Sequence, residues 1–131
     1  MLRNYALFLD DTRDPPMPFE GFSMASDVVI ARDFKGFCFT VKHLGCPELI
    51  SFDHDLGPVT EPNGMDCAKW FINAVLDKKV VLHDNLRFVV HSMNPPGKAN
   101  IESLMTQFLE HMTAARYGDV RKLIAGEESV A

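Results

Sequence analysis

The sequence predicts an α/β layer fold built on a small, mostly parallel sheet. Short apolar runs of strand length recur along the chain, at Tyr5–Leu9, Val28–Ile30, Leu49–Phe52 and Leu86–Val90. Segments of helical period stand between the later runs and after the last. Three of the runs stop abruptly in acids or histidine, as strands do when they end at a shared ligand-bearing edge.

Each element has its own warrant. Tyr5-Ala6-Leu7-Phe8-Leu9 has no polar alternation, so it reads as a strand buried on both faces, and it halts at Asp10-Asp11. RDPPMPFEGFSMAS is rich in Pro and Gly and reads as a loop, where a parallel crossover ordinarily carries a helix. Val28-Val29-Ile30 is a brief β-branched strand. Asp33 stands where an N-cap belongs, before a helix with Phe34, Phe37, Val41 and Leu44 on one face, and Gly45 ends it.

Leu49–Phe52 is the third strand, and GPVTEPNG the loop that follows. An amphipathic helix over about 65–79 carries Ala68, Phe71, Ile72, Val75 and Leu76 at helical spacing, and Asp77-Lys78-Lys79 reads as its solvated end. Leu86–Val90 is the fourth strand. Pro95-Pro96-Gly97 then reads as a turn before a last helix with Ile101, Leu104, Met105, Phe108, Leu109 and Met112. Beyond Gly118, Val120–Ile124 fits either a short helix or an edge strand. Trp70 and the methionines of the last helix read as core, and His43, His83 and His111 as surface residues with no clear partner.

Composition narrows the function. A chain of 131 residues, 47% apolar, has the means to bury one real core, so a single domain over 1–131 is expected. The net charge of −5 and the lack of a basic block argue against non-specific nucleic-acid binding, while leaving room for a nucleotide or RNA end held through a metal. Cys38, Cys46 and Cys67 are odd in number with no CxxC spacing, which argues against a disulfide framework or zinc knuckle and for a reducing, cytoplasmic setting. The N-terminal apolar run is too short for a signal peptide, and no stretch is long enough to cross a membrane.

The chemistry lies at the strand ends. The first run ends in Asp10-Asp11 with Arg13 close by, the third in Asp53-His54-Asp55, and the fourth in His91-Ser92 with Asn94 following. In a parallel sheet these ends line one edge, so three distant motifs converge on one site. Carboxylates that dense repel one another unless a cation sits among them. Asp10, Asp11, Asp53 and Asp55 are therefore the expected metal ligands, with Mg²⁺ first and Mn²⁺, Fe²⁺ or Zn²⁺ admitted if His54 or His91 points inward. His54 and His91 are the acid–base candidates. Arg13, Ser92, Asn94 and Lys98 are the expected phosphate contacts, Lys98 because a lysine at a helix start makes an anion seat.

These residues resemble a known pattern. An acidic pair after strand one and an aspartate ending strand three are similar to the response-regulator receiver domain. There Asp10 and Asp11 match the metal-binding pair, Asp53 the phospho-acceptor and Ser92 the small hydroxyl residue. LDDTRDPP, SFDHDLG, Gly64-Met65-Asp66 and VHSMNPPGKANIESLM, in that order, resemble more closely an offshoot of bacteria and phages, the cyclic-phosphate processing receiver-like family. The resemblance spans about 5–112 and leaves 113–131 as a C-terminal extension. It implies a receiver-like (flavodoxin-like) three-layer fold and a catalytic role for Asp53. It also implies a metal-dependent phosphoesterase of cyclic phosphates or related nucleotide or RNA ends, in a bacterial cell or phage-infected host. The alternative is a non-catalytic signalling or nucleotide-binding module. The chain departs from signalling receivers in three ways: no lysine after a fifth strand can be placed, the first crossover lacks a helix, and His54-Asp55 follow Asp53 instead of apolar residues.

Overall fold

Four parallel strands form where the apolar runs stand: β1 (Ala6–Leu9), β2 (Val28–Ala31), β3 (Leu49–Phe52) and β4 (Arg87–Val90), in the order β2-β1-β3-β4. The computed structural model describes residues 4–58 and 61–125, with side chains through residue 115. The helices are α1 (Phe34–Leu44), α2 (Gly64–Leu76) and α3 (Pro95–Ala125), and a 3₁₀ turn covers Ala25–Asp27. Among the described residues there is no fifth strand.

Capping chemistry sets the helix ends. The Asp33 side chain accepts from Gly36 N at 2.7 Å, and Gly45, at φ +84°, ends α1. Asn63 and Asp66 form a reciprocal capping box at the start of α2. Two readings need correction. Pro95-Pro96-Gly97 is no separate turn: Asn94 accepts from Gly97 N at 3.0 Å, and the prolines stand in the first turn of α3, where a missing N–H costs nothing. Residues 120–124 continue α3, so the helical alternative holds there, as part of a longer helix, and the edge strand does not. In addition α2 stops at Leu76, itself exposed, and His83 is half-buried with Nε2 3.2 Å from Asn4 Oδ1.

The layering follows from handedness. Right-handed crossovers from β2 to β3 and from β3 to β4 run the same way across the sheet, so α1 and α2 lie on one face. The step from β1 to β2 runs the other way, so its loop lies on the opposite face. The core divides accordingly. Leu7, Leu9, Ile50 and Phe52 pack with Phe37, Val41, Cys67, Phe71, Ile101 and Met105 from all three helices. Ala6, Phe8 and Leu49 face the loop residue Phe19, with Phe22, Val28 and Val89 around them. The α/β receiver-like class holds, with a Pro-rich loop as the third layer in place of helices. A short antiparallel bridge, Phe19–Phe22, shapes that loop, and the Arg87 guanidinium donates to the Glu20 carbonyl to hold it down.

All three thiols are buried, and burial pushes Cys38 and Cys46 up to about 11 and Cys67 higher. Thiolate is the reactive form, so iodoacetamide at pH 8 is expected to leave the native chain unmodified and to label all three thiols in denaturant, as read by intact mass. Labelling of the native protein would contradict this burial.

Candidate functional site

Register assembles the site. Phe8 pairs with Ile30 on one side and Ser51 on the other, and Ser51 pairs with Val89. The ladders continue past the strands, with Asp10 N bonding Ala31 O at 3.0 Å, Asp53 N bonding Leu9 O at 3.0 Å and His91 N bonding Phe52 O at 2.9 Å. Two residues beyond Phe8, Ile30, Ser51 and Val89 stand Asp10, Arg32, Asp53 and His91. Side chains alternate with period two, so this row lies at the C-terminal edge on the loop face.

Asp10 is the hub and is fully buried. One carboxylate oxygen accepts from the amides of Thr12 (3.0 Å) and Arg13 (2.8 Å); the other receives Arg13 Nε at 2.9 Å and lies 3.0 Å from His91 Nε2. Burial alone would raise its pKa, but these hydrogen bonds and the guanidinium outweigh burial and hold it below the ordinary value. Asp53, 6% exposed, fares differently: burial, then the Asp10 charge, raise its pKa, and the His54 amide (2.8 Å), His91 and the Arg13 guanidinium (4.0 Å) only partly offset them.

His91 is fixed on three sides. Its Nδ1 lies 2.7 Å from Ser51 Oγ, its Nε2 meets Asp10, and its ring stacks on Phe8 at 4.5 Å and 5°. Ser51 is small enough for Phe8 to reach across β3. Burial lowers the His91 pKa against the pull of Asp10 and Asp53, so the neutral ring is favoured. The contacts then suit one tautomer, with Nε2–H donating to Asp10 and Nδ1 accepting from Ser51.

A second cluster adjoins the first. His54 Nδ1 lies 2.7 Å from Asp55 Oδ1, and Asn94 Nδ2 reaches both Asp55 oxygens at 3.3 and 3.4 Å. The His54 bond lowers the Asp55 pKa. The His54 ring lies against the first turn of α3, where a Cβ on Gly97 would come within 2.8 Å of Nδ1 and closer still to ring carbons. Ser92 Oγ accepts from Asn94 N at 3.0 Å.

The expected residues thus fall into two neighbouring groups. Asp10, Arg13, Asp53 and His91 meet in one; His54, Asp55, Ser92 and Asn94 meet in the other. Asp11 is half-buried and Lys98 exposed, and among the described residues neither side chain makes a hydrogen bond or ion pair with either group. Carboxylate oxygens of Asp10 and Asp53 and a His91 nitrogen lie within 4.8 Å of one another, and among the described residues Asp11 and Asp55 stand outside that group. The donor set fits a divalent ion: the two carboxylates suit Mg²⁺ and the imidazole beside them admits Mn²⁺, Fe²⁺ or Zn²⁺, while burial first and the Asp10 charge second raise the Asp53 pKa. Sequence reading passed over Ser51 and Arg32. Ser51 carries the same two-residue spacing from Asp53 that places it beneath His91. Arg32 ends β2 as the acids end β1 and β3; it donates to the carbonyls of Asp10 (3.2 Å) and Arg13 (2.7 Å) and pairs with Asp14.

Asp53 ionises in a setting that favours its neutral form. Ionisation at neutral pH therefore costs the fold stability, and stability contributed at this group is regained as pH falls through its raised folded pKa. Asp53→Asn is expected to melt higher than wild type in chelator at pH 7.5 by calorimetry. A lower Tm would contradict the assigned electrostatics.

The family model described as cyclic-phosphate processing receiver domain matches residues 5–107. No curated protein matches with significance. Among solved structures, a fusion carrying residues 181–211 of the yeast Spc42 trimeric coiled coil matches at 16% identity over 98% of this chain and 87% of that one, with a TM-score of 0.47, too loose a likeness to bear on fold or function. Among the described residues no helix is long and apolar enough to cross a membrane.

Proposed function

The chain belongs to the cyclic-phosphate processing receiver domain family, and from that we propose that it is a metal-dependent phosphoesterase opening cyclic phosphates on nucleotides or RNA ends. The observation that carries this reading is the meeting of Asp10, Asp53 and His91, from three separate strands, within 4.8 Å at the C-terminal edge of the sheet. A divalent ion would be held there by Asp10 and Asp53, and by His91 Nε2 once the ring takes the tautomer with Nδ1–H donating to Ser51, and it would supply Lewis-acid stabilisation of phosphoryl charge.

Ring opening forms a bond from a water oxygen to phosphorus, breaks the bond to the 2′ or 3′ oxygen, and moves one proton from that water to the departing oxygen. His54 is the residue suited to carry the proton. Asp55 engages its Nδ1 and leaves Nε2 without a hydrogen bond among the described residues, the orientation a shuttling imidazole needs. His91 has both nitrogens engaged, so it holds rather than shuttles. The Arg13 guanidinium, half exposed while bonded to Asp10, has donors left over for a phosphate oxygen. Asn94 fixes the start of α3 beside His54, and Lys98, exposed in the first turn of α3, adds positive charge at the rim.

The test is a panel of nucleoside 2′,3′-cyclic phosphates with Mg²⁺, Mn²⁺, Fe²⁺ or Zn²⁺. Turnover is expected with at least one pair, and Asp53→Asn is expected to lose at least about 10²-fold. Equal rates for Asp53→Asn and wild type, or no turnover on any pair, would overturn the proposal. Intact mass after acetyl phosphate treatment adds a check, since a lasting phosphoryl adduct on Asp53 would assign the site to signalling instead.

A further inference from the structure

A cleft of about 220 Å³ opens between the start of α1 and the segment that joins β3 to α2, lined by Asp33, Phe34, Lys35, Leu56, Glu61 and Pro62. Its two walls start from the site itself. Asp33 directly follows Arg32, which stands in the row with Asp10, and Leu56 is the third residue after Asp53. The walls therefore rise from the ends of β2 and β3, the strands on either side of the one that delivers Asp10.

We infer that this cleft seats the nucleobase of the ligand whose phosphate meets Asp10, Asp53 and His91, an inference that rests on the reading of that centre given above. The lining has the chemistry for a flat heterocycle. Phe34, Leu56 and Pro62 supply apolar contact, and both Phe34 and Leu56 are anchored in the helix-side core. Lys35 and Glu61, both exposed, put a donor and an acceptor at the mouth, where ring nitrogens and exocyclic groups need partners. The Asp33 carboxylate is occupied by its cap bond to Gly36 N and is left out of the recognition. The volume sets the scale: sites for drug-sized ligands run to roughly 300–1,000 Å³, so this cleft holds one ring system and leaves sugar and phosphate outside, over the row. The chemistry recognised is that of a nucleoside phosphate, free or as the last nucleotide of an RNA.

Amide-resolved NMR titration separates this inference from the reading beneath it. The probes are adenosine and uridine 2′,3′-cyclic phosphates, a short RNA ending in a 2′,3′-cyclic phosphate, and ethylene glycol cyclic phosphate, which has no base. The base-free probe is expected to shift amides of 10–13, 53–55 and 91–92 only. The nucleotides are expected to shift those and also 33–36, 56–57 and 61, binding about tenfold more tightly, within the range for one stacked base. Lys35→Ala and Glu61→Ala, exposed changes that leave the core intact, are expected to weaken the nucleotides severalfold without altering the base-free probe. Tighter binding of the RNA than of the mononucleotides would identify an RNA end as the source, and the reverse a free nucleotide.

Equal affinity for nucleotides and the base-free probe, with no shifts at 33–36, overturns the cleft inference and leaves the phosphate centre standing. Shifts in the cleft with none in the carboxylate row overturn the joint arrangement. No shift at either place with any probe overturns both.

Discussion

Gly64→Ala is expected to cost about 3 kcal/mol, near the top of the range for forcing a methyl group into a packed interior. A Cβ at this position would overlap the Asp53 carbonyl oxygen and lie 2.8 Å from its carbonyl carbon and 3.0 Å from the His54 Cα. Those are backbone atoms of the strand end, so no rotamer change relieves the clash. The contact is close because Gly64 N donates to His54 O at 2.7 Å, which ties the first residue of α2 to the strand that delivers Asp53. With alanine there, α2 must move away from β3 and open the core around Cys67, Ala68 and Phe71. Thermal melting should show a Tm lower by about 10 °C for a chain of this size. Gly36→Ala serves as the comparison, since its Cβ would approach only the tip of the Asp33 side chain, at 3.1 Å. A Gly64→Ala protein melting with wild type would show that α2 does not start against the site.

Arg13→Ala should change how the protein responds to divalent ions. The guanidinium is the positive charge nearest both carboxylates, at 2.9 Å from Asp10 and 4.0 Å from Asp53. On the proposed reading an ion acts on the same two carboxylates, so it would have to compete with this partner in the wild type. Removing it leaves the two acids facing each other with only a neutral imidazole between strands. In chelator the variant should melt lower by a modest amount, about 1 kcal/mol, because the arginine side chain is half exposed and solvent screens the pair. With Mg²⁺ or Mn²⁺ it should gain more stability than wild type and bind the ion about fivefold more tightly by calorimetric titration. Identical ion affinities for the two proteins would show that guanidinium and ion do not share the site.

Much of the fold was legible because strand and helix signals were strong and local. The apolar runs gave β1, β3 and β4 within a residue or so, and Asp33 with Gly45 bounded α1. What failed did so for physical reasons. Pro95-Pro96-Gly97 looks like a turn because both residue types break helices, yet in the first turn there is no hydrogen bond for proline to lose. The first crossover was legible as a loop because its prolines and glycines exclude a helix, and a loop is what stands between β1 and β2.

The site was legible at the level of which strands carry it. Which acids meet was decided by side-chain parity: Asp10 and Asp53 share the face of Phe8 and Ser51, while Asp11 falls one position out of step. His54 and Asp55 are neighbours in sequence, but the packing of Gly97 on the His54 ring and the reach of Asn94 to Asp55 are tertiary facts. Ser51 and Arg32 were visible to the same counting but look ordinary in isolation.

The Pro-rich covering of residues 12–24 has a wider consequence. On one side of the sheet, three helices supply most of the apolar core; on the other, Phe19 and Phe22 of this loop cover Ala6, Phe8 and Leu49. A change of length or composition in that loop therefore acts first on the smaller of two apolar clusters, while the larger stays closed by α1, α2 and α3.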